Sequence, residues 1–124
     1  MKFESIHING KGRGKPMGFP TINLKIPENF ELMNGVYSAK VKIENSVFIG
    51  ALHYGPIPTF NEDVKSLEVY LLETTDDNVG NLEGKLITVE VIKFLRPIIK
   101  FKLVESLVKQ IEKDVVNIKE NTSK

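Results

Sequence analysis

Alternation of apolar and polar residues with a period of two runs through most of this chain. It limits the fold more than any single motif does. In "GVYSAKVKIE", Tyr37, Ala39, Val41 and Ile43 fall on one face of an extended segment and Ser38, Lys40, Lys42 and Glu44 on the other. Glu44, Asn45 and Ser46 then read as a tight hairpin turn into "SVFIGALHY". "KFESIHI", "SLEVYLLE" and "KLITVEVIKFL" supply further strands, the last with Ile87, Val89 and Val91 opposite Thr88 and Glu90. Strands with short polar connections and no interleaved helix imply an antiparallel barrel or sandwich. The period changes once. In "KLVESLVKQIEKDVVNIKE", Val104, Leu107, Val108, Ile111, Val115 and Ile118 recur at three and four residues. That is the apolar stripe of a helix packed on the barrel, expected over about residues 102–119 with a frayed tail at 120–124. No repeat or linker interrupts residues 1–124, so a single domain is expected.

Composition narrows the function classes. A chain that is 41% hydrophobic and 27% charged can bury a modest core and is not of the disordered class. Seventeen basic against sixteen acidic residues leave a net charge of +1, which removes the strongest electrostatic argument for a nucleic-acid partner. Without cysteine there is neither a disulfide nor thiolate chemistry. No apolar run approaches the roughly 20 residues that span a bilayer, and "MKFESIHING" lacks an apolar signal core. The expectation is a cytoplasmic monomer with no membrane partner. His7 and His53 have no Cys and no third His beside them, so zinc is not expected. Asp76, Asp77 and Asn78 lack the rest of a calcium loop and read as a polar turn.

One stretch carries chemistry. "GKGRGKPMGFPTINL", residues 10 to 24, fails the Walker pattern because Pro16 follows Gly14 and Lys15. It fails the dinucleotide pattern because Lys15 stands where the third glycine belongs and no helix follows. Its glycines can nonetheless turn N–H groups toward an anion, and Lys11, Arg13 and Lys15 add positive charge. Thr21 and Asn23, two apart on an extended segment, share a face while Ile22 points away. A hydroxyl and an amide carbonyl beside a cationic loop suit Mg²⁺ held with phosphates. A basic surface turn leading into a strand fits the same residues.

This stretch resembles the glycine-rich loop and Pro-Thr-x-Asn signature of riboflavin kinase, a family also found as the C-terminal half of bacterial bifunctional FAD synthetases. "GALHYGPIPTF", "LEVYLLE", "LRPIIKF" and "VESLVKQIEKDV" resemble further family segments in the same order, together covering about residues 7 to 116. The resemblance implies a six-stranded antiparallel Greek-key barrel with a C-terminal helix. It also implies transfer of the ATP γ-phosphoryl to the 5′-hydroxyl of riboflavin, with Mg²⁺, giving FMN and ADP.

Residue by residue, Gly10, Gly12 and Lys15 match phosphate-holding positions. Thr21 and Asn23 match the pair that ligates Mg²⁺ and phosphate oxygens, and Glu68 matches the catalytic carboxylate. Leu71 and Glu73 match positions whose backbone faces adenine, and Arg96 and Phe101 match the loop over the flavin. Four departures stand out. "ETTDDNVGNLEGK" is longer than the family turn, Glu83 replaces an aromatic near the nucleotide, Ile98 and Ile99 replace polar residues, and Leu103 replaces a Ser that would cap the helix. No His-x-Gly-His nucleotidyl-transfer motif occurs, so FAD synthesis is not expected, and Met1 favours a stand-alone kinase. Two other readings remain open: a non-catalytic flavin- or nucleotide-binding barrel, and an oligonucleotide-binding small barrel using Lys11, Arg13 and Lys15.

Overall fold

Six strands form because the alternating segments each offer one continuous apolar face. The computed structural model describes residues 1–8, 20–56 and 64–122. The strands are β1 Lys2–Ile6, β2 Thr21–Asn23, β3 Gly35–Ile43, β4 Ser46–Gly55, β5 Ser66–Leu71 and β6 Leu86–Arg96. They pair antiparallel in the order β1-β6-β3-β4-β5-β2. Strands β3, β4 and β5 are consecutive neighbours and β6 returns beside β3, which is the Greek-key arrangement. The sheet curls until its two edges meet at one bridge, His7 with Leu24. Ile8 donates to the Asn23 carbonyl at 2.9 Å and Lys25 to the Ile6 carbonyl at 3.0 Å, so a half-barrel is closed along a short seam.

Inside the curl, Leu24, Ala39, Val41, Leu52, Val69 and Ile87 are almost wholly removed from water. Each buried Leu, Val or Ile side chain among them stabilises the fold by about 1.5–3 kcal/mol relative to exposure. The opposite face is buried too at one end, where the helix Val104–Thr122 covers it. Leu107, Ile111, Val115 and Ile118 pack there against Val36, Ala51, Tyr70 and Leu72. This explains why Val36 and Ser38, on the polar side of the β3 alternation, are buried.

Some expectations need correction. The β3–β4 hairpin loop is only Glu44 and Asn45, with Glu44 at φ 55°, and Ser46 already belongs to β4. A helical turn, α1 (Asp76–Val79), does lie between β5 and β6 where a polar turn was expected. Thr75 caps it by accepting from the Asn78 N–H at 3.3 Å. The C-terminal helix, α2, begins at Val104 and continues through Thr122, so residues 120–122 are helical and not a tail. Its amphipathic stripe continues to Ile118, and the following polar turn simply extends it.

Strand β6 carries two bulges that alternation does not reveal. Val91 pairs with Ala39 but Lys93 with Ser38, leaving Ile92 extra; Phe94 pairs with Tyr37 but Arg96 with Val36, leaving Leu95 extra. The first bulge turns Phe94 onto the inner face, edge-on to Tyr37 with ring centroids 5.3 Å apart. The second returns Arg96 to the helix side.

Candidate active site

Residues directly opposite in an antiparallel pair share a face, so the pairings define a row across the sheet. Asn23 of β2 lies opposite Glu68 of β5, Glu68 opposite His53 of β4, His53 opposite Val36 of β3, and Val36 opposite Arg96 of β6. The neighbouring row begins Thr21, Tyr70, Ala51, Ser38. Both rows lie on the face that α2 partly covers, because Ile22, Leu67 and Val69 take the inner face. Thus the Thr21 and Asn23 pair and the distant Glu68 meet on adjoining strands.

Glu68 is 4% exposed. A carboxylate so far from water needs hydrogen-bonding partners. The Tyr70 hydroxyl donates to its Oε2 at 3.2 Å. Thr21 and Asn23 are half-buried, Asn23 opposite Glu68 and Thr21 opposite Tyr70. Among the described residues no three His, Asp or Glu side chains gather to hold a metal. The donor set at β2 is therefore partial, a hydroxyl and an amide, which fits Mg²⁺ that keeps waters and phosphate oxygens as its other ligands.

Two concavities adjoin these rows, one bordered by Thr21 and the other by Val36, His53 and Arg96. On the β2 side is an open cleft of about 710 Å³, with His7, Ile8, Pro20 and Thr21 on one wall and residues 79–84 on the other. Glu83 lines it, its N–H held by Asn81 Oδ1 at 2.9 Å. Cavities of this size take a nucleotide-sized molecule. Gly10, Gly12 and Lys15 lie outside the described residues, but Ile8 and Pro20, which flank that stretch, both border the cleft. On the α2 side is a cavity of about 30 Å³ among His53, Tyr70, Arg96, Ile98, Ile99 and Leu107, room for about one water.

Of the remaining expected site residues, only Arg96 borders either space. Leu71 sits in the inner core and its N–H donates to the Pro20 carbonyl at 2.9 Å. Glu73, at φ 51°, is exposed, pairs with Lys119 at 3.1 Å and does not border the cleft. Phe101 is half-buried against the helix-side core. Arg96 borders the small cavity, but its guanidinium is held by Asp114 of α2: Nε donates to both carboxylate oxygens at 3.1 Å and Nη2 to Oδ2 at 2.9 Å. Gln110 adds a third donor to Asp114 at 3.1 Å.

Sequence reasoning passed over Tyr70 and Asp114, and considered His53 only to set zinc aside. A signal existed for the first two. Glu68 and Tyr70 alternate onto one face of "LEVYL", and Asp114 stands at helical spacing from Ile111 and Ile118, inside the apolar stripe. For His53 nothing local pointed to Glu68.

Fold and site define a small Greek-key barrel whose β2–β5 pair carries Thr21, Asn23 and Glu68, with an open cleft bordered by Thr21 and a small cavity under α2 bordered by Tyr70. The chain belongs to the riboflavin kinase family, whose Flavokinase model matches residues 1–122. It is 34% identical over 113 residues to the bifunctional riboflavin kinase/FMN adenylyltransferase of Haemophilus influenzae, covering 90% of this chain and 35% of the relative. Against the protein of the same description from Listeria monocytogenes it is 35% identical over 109 residues, 86% of this chain and 33% of the relative. It is also 31% identical to the RNA-binding riboflavin kinase RibR of Bacillus subtilis, over 87% of this chain and 45% of that one. The chain thus spans about a third of the length of the bifunctional relatives. Among solved structures, riboflavin kinase from Trypanosoma brucei superposes with a TM-score of 0.63 at 19% identity, over 99% of this chain and 78% of that one. A Streptococcus pneumoniae crystal structure described as a macrolide-efflux protein gives 0.74 at 24% identity, over 94% and 38%. Both structural likenesses bear on the fold. Among the described residues no helix is long and apolar enough to cross a membrane.

Proposed function

We propose that this chain phosphorylates riboflavin, moving the γ-phosphoryl of ATP onto the 5′-hydroxyl and releasing FMN and ADP. The observation that carries the reading is the register of β2 on β5, with Asn23 opposite Glu68 and Thr21 opposite Tyr70. It puts Glu68 and Asn23 at opposed positions, with Thr21, two residues along β2, bordering the nucleotide-sized cleft. Glu68 accepts the alcohol proton as the oxygen–phosphorus bond forms, a role that needs position more than unusual basicity. Tyr70 orients that carboxylate by donating to Oε2. Thr21 and Asn23 would hold Mg²⁺, whose charge neutralises the phosphate oxygens when the nucleotide is bound. The apolar walls Ile98, Ile99 and Leu107 receive the flavin ring after the loop at residues 97–103 moves outward, because the present cavity holds about one water. Glu83, exposed on the cleft wall, sets the nucleotide preference.

The remaining reading is a cytoplasmic monomer whose partners are the two small molecules, without nucleic acid or membrane. The RNA-binding description belongs to a relative of which this chain covers 45%. Incubation with riboflavin, ATP and Mg²⁺ should yield FMN and ADP in equal amounts. If no FMN forms with ATP or with any other nucleoside triphosphate, the reading fails. Flavin binding without turnover would then favour a non-catalytic barrel.

A further inference from the structure

His7 has no part in the scheme above, although it borders the nucleotide-sized cleft. Along β1 the inward positions are Phe3 and Ser5, and His7 follows at the same spacing, bridged to the inner-core residue Leu24. The imidazole is therefore half-buried at the mouth of the barrel. Ile22, Val79 and Leu82, which pack in or against the inner core, reappear there as the apolar lining of the cleft. Glu83 stands on the other wall. The backbone shapes that wall: Gly80 at φ 73° and Gly84 at φ 74° turn the chain on either side, and Asn81 Oδ1 accepts the Glu83 N–H at 2.9 Å. The cleft thus combines an apolar lining suited to an aromatic ring with polar side chains, His7 and Glu83, on its two walls. We infer that His7 and Glu83 select the base of the phosphoryl donor, binding the hydrogen-bonding edge of a purine whose ring lies on Ile22, Val79 and Leu82. This rests on the kinase reading and makes His7 a specificity-determining residue.

The two side chains complement a purine edge. A carboxylate accepts hydrogen bonds and donates none, whereas a neutral imidazole offers one donor and one acceptor. Adenine presents an amine donor beside ring-nitrogen acceptors, and guanine presents an amine and a ring N–H beside a carbonyl. With either base, Glu83 accepts from the amine and the His7 N–H donates to a ring nitrogen or carbonyl. Uracil has no amine, and its carbonyl oxygens repel a carboxylate. Its single ring also covers less of the apolar lining. A site arranged to bond an N–H disfavours a base that lacks it, because the site's own polar groups are then left unpaired. Glu83 is exposed, so water moderates that penalty, and the discrimination is about tenfold rather than several orders of magnitude.

Calorimetric titration with ADP, GDP and UDP in the presence of Mg²⁺ tests this without requiring turnover. The ligands share ribose and phosphates, so the ratio of their affinities reports the base alone. ADP and GDP should each bind the wild-type chain about tenfold more tightly than UDP. His7→Ala should weaken ADP about three- to tenfold and UDP much less. His7→Gln keeps a donor and an acceptor and should recover most of that loss. Glu83→Gln supplies an amide N–H for a carbonyl, so it should tighten UDP and narrow the ratio. The inference is overturned if either purine nucleotide binds the wild-type chain no more tightly than UDP. It is equally overturned if His7→Ala weakens ADP and UDP alike, the mark of a phosphate contact or a disturbed fold, or if Glu83→Gln leaves the ratio unchanged. The kinase reading fails separately. Base-selective binding with no FMN formed from any nucleoside triphosphate would refute that reading and leave His7 and Glu83 in their role. FMN formation with equal ADP affinity in the wild-type chain and His7→Ala would do the reverse.

Discussion

Glu68 and Asp114 are the buried carboxylates among the described residues, 4% and 5% exposed, and they call for opposite experimental signatures. Glu68 faces the alternation-defined pair on β2, and its replacement by Gln keeps size and a partner for the Tyr70 hydroxyl. Glu68→Gln should lower kcat by about 10²–10⁴-fold with little change in melting temperature. A drop of less than tenfold in an FMN-formation assay would remove Glu68 from the proton transfer. Asp114 instead holds Arg96, with side chains 6% and 14% exposed. Asp114→Ala leaves a buried guanidinium uncompensated and should destabilise the protein by about 3–5 kcal/mol in denaturant unfolding. Replacing both partners, Arg96→Met with Asp114→Leu, should recover most of that loss. If the double variant is as unstable as the two single losses added together, the pair is not coupled.

At the scale of elements, two junctions are tunable in opposite directions. Leu103 occupies the capping position of helix α2, is exposed, has no side-chain acceptor, and offers its carbonyl to the N–H groups of Ser106 at 3.1 Å and Leu107 at 3.4 Å. Leu103→Asp should stabilise the fold by about 1 kcal/mol, read as a melting temperature a few degrees higher. Strand β4 crosses β5 at Gly50, where an added Cβ would lie 2.6 Å from Val69 Cγ1 and 2.8 Å from the Tyr70 carbonyl. Gly50→Ala must push β5 away or strain it, and should destabilise the fold by about 1–3 kcal/mol in the same unfolding assay. The strands and the long helix were legible because pleat and helical period are local properties, visible in Tyr37 to Ile43 or Leu107 to Ile118. The bulges at Ile92 and Leu95 were not, since each answers to the facing strand β3. Capped by Thr75, α1 was missed because a single turn has no period to read.

Over the whole molecule, the proposed site depends on β2 joining the curled sheet beside β5. Metal dependence is the corresponding test. Chelation should abolish turnover and Mg²⁺ restore it, while Asn23→Ala should raise the Mg²⁺ needed for half-maximal rate by about tenfold or more. An unchanged Mg²⁺ dependence in Asn23→Ala would place the metal elsewhere. The sequence by itself determined the strand faces, the helix stripe and the sharing of one side by Thr21 and Asn23. It also carried the motif order by which the chain resembles its family. Only the tertiary structure decided that Asn23 and His53 flank Glu68, that two bulges set Arg96 opposite Val36, and that Asp114 takes its charge. The physical reason is that alternation records which way a side chain points from its own strand. What lies opposite depends on register, set by turns, bulges and closure between segments far apart in the chain.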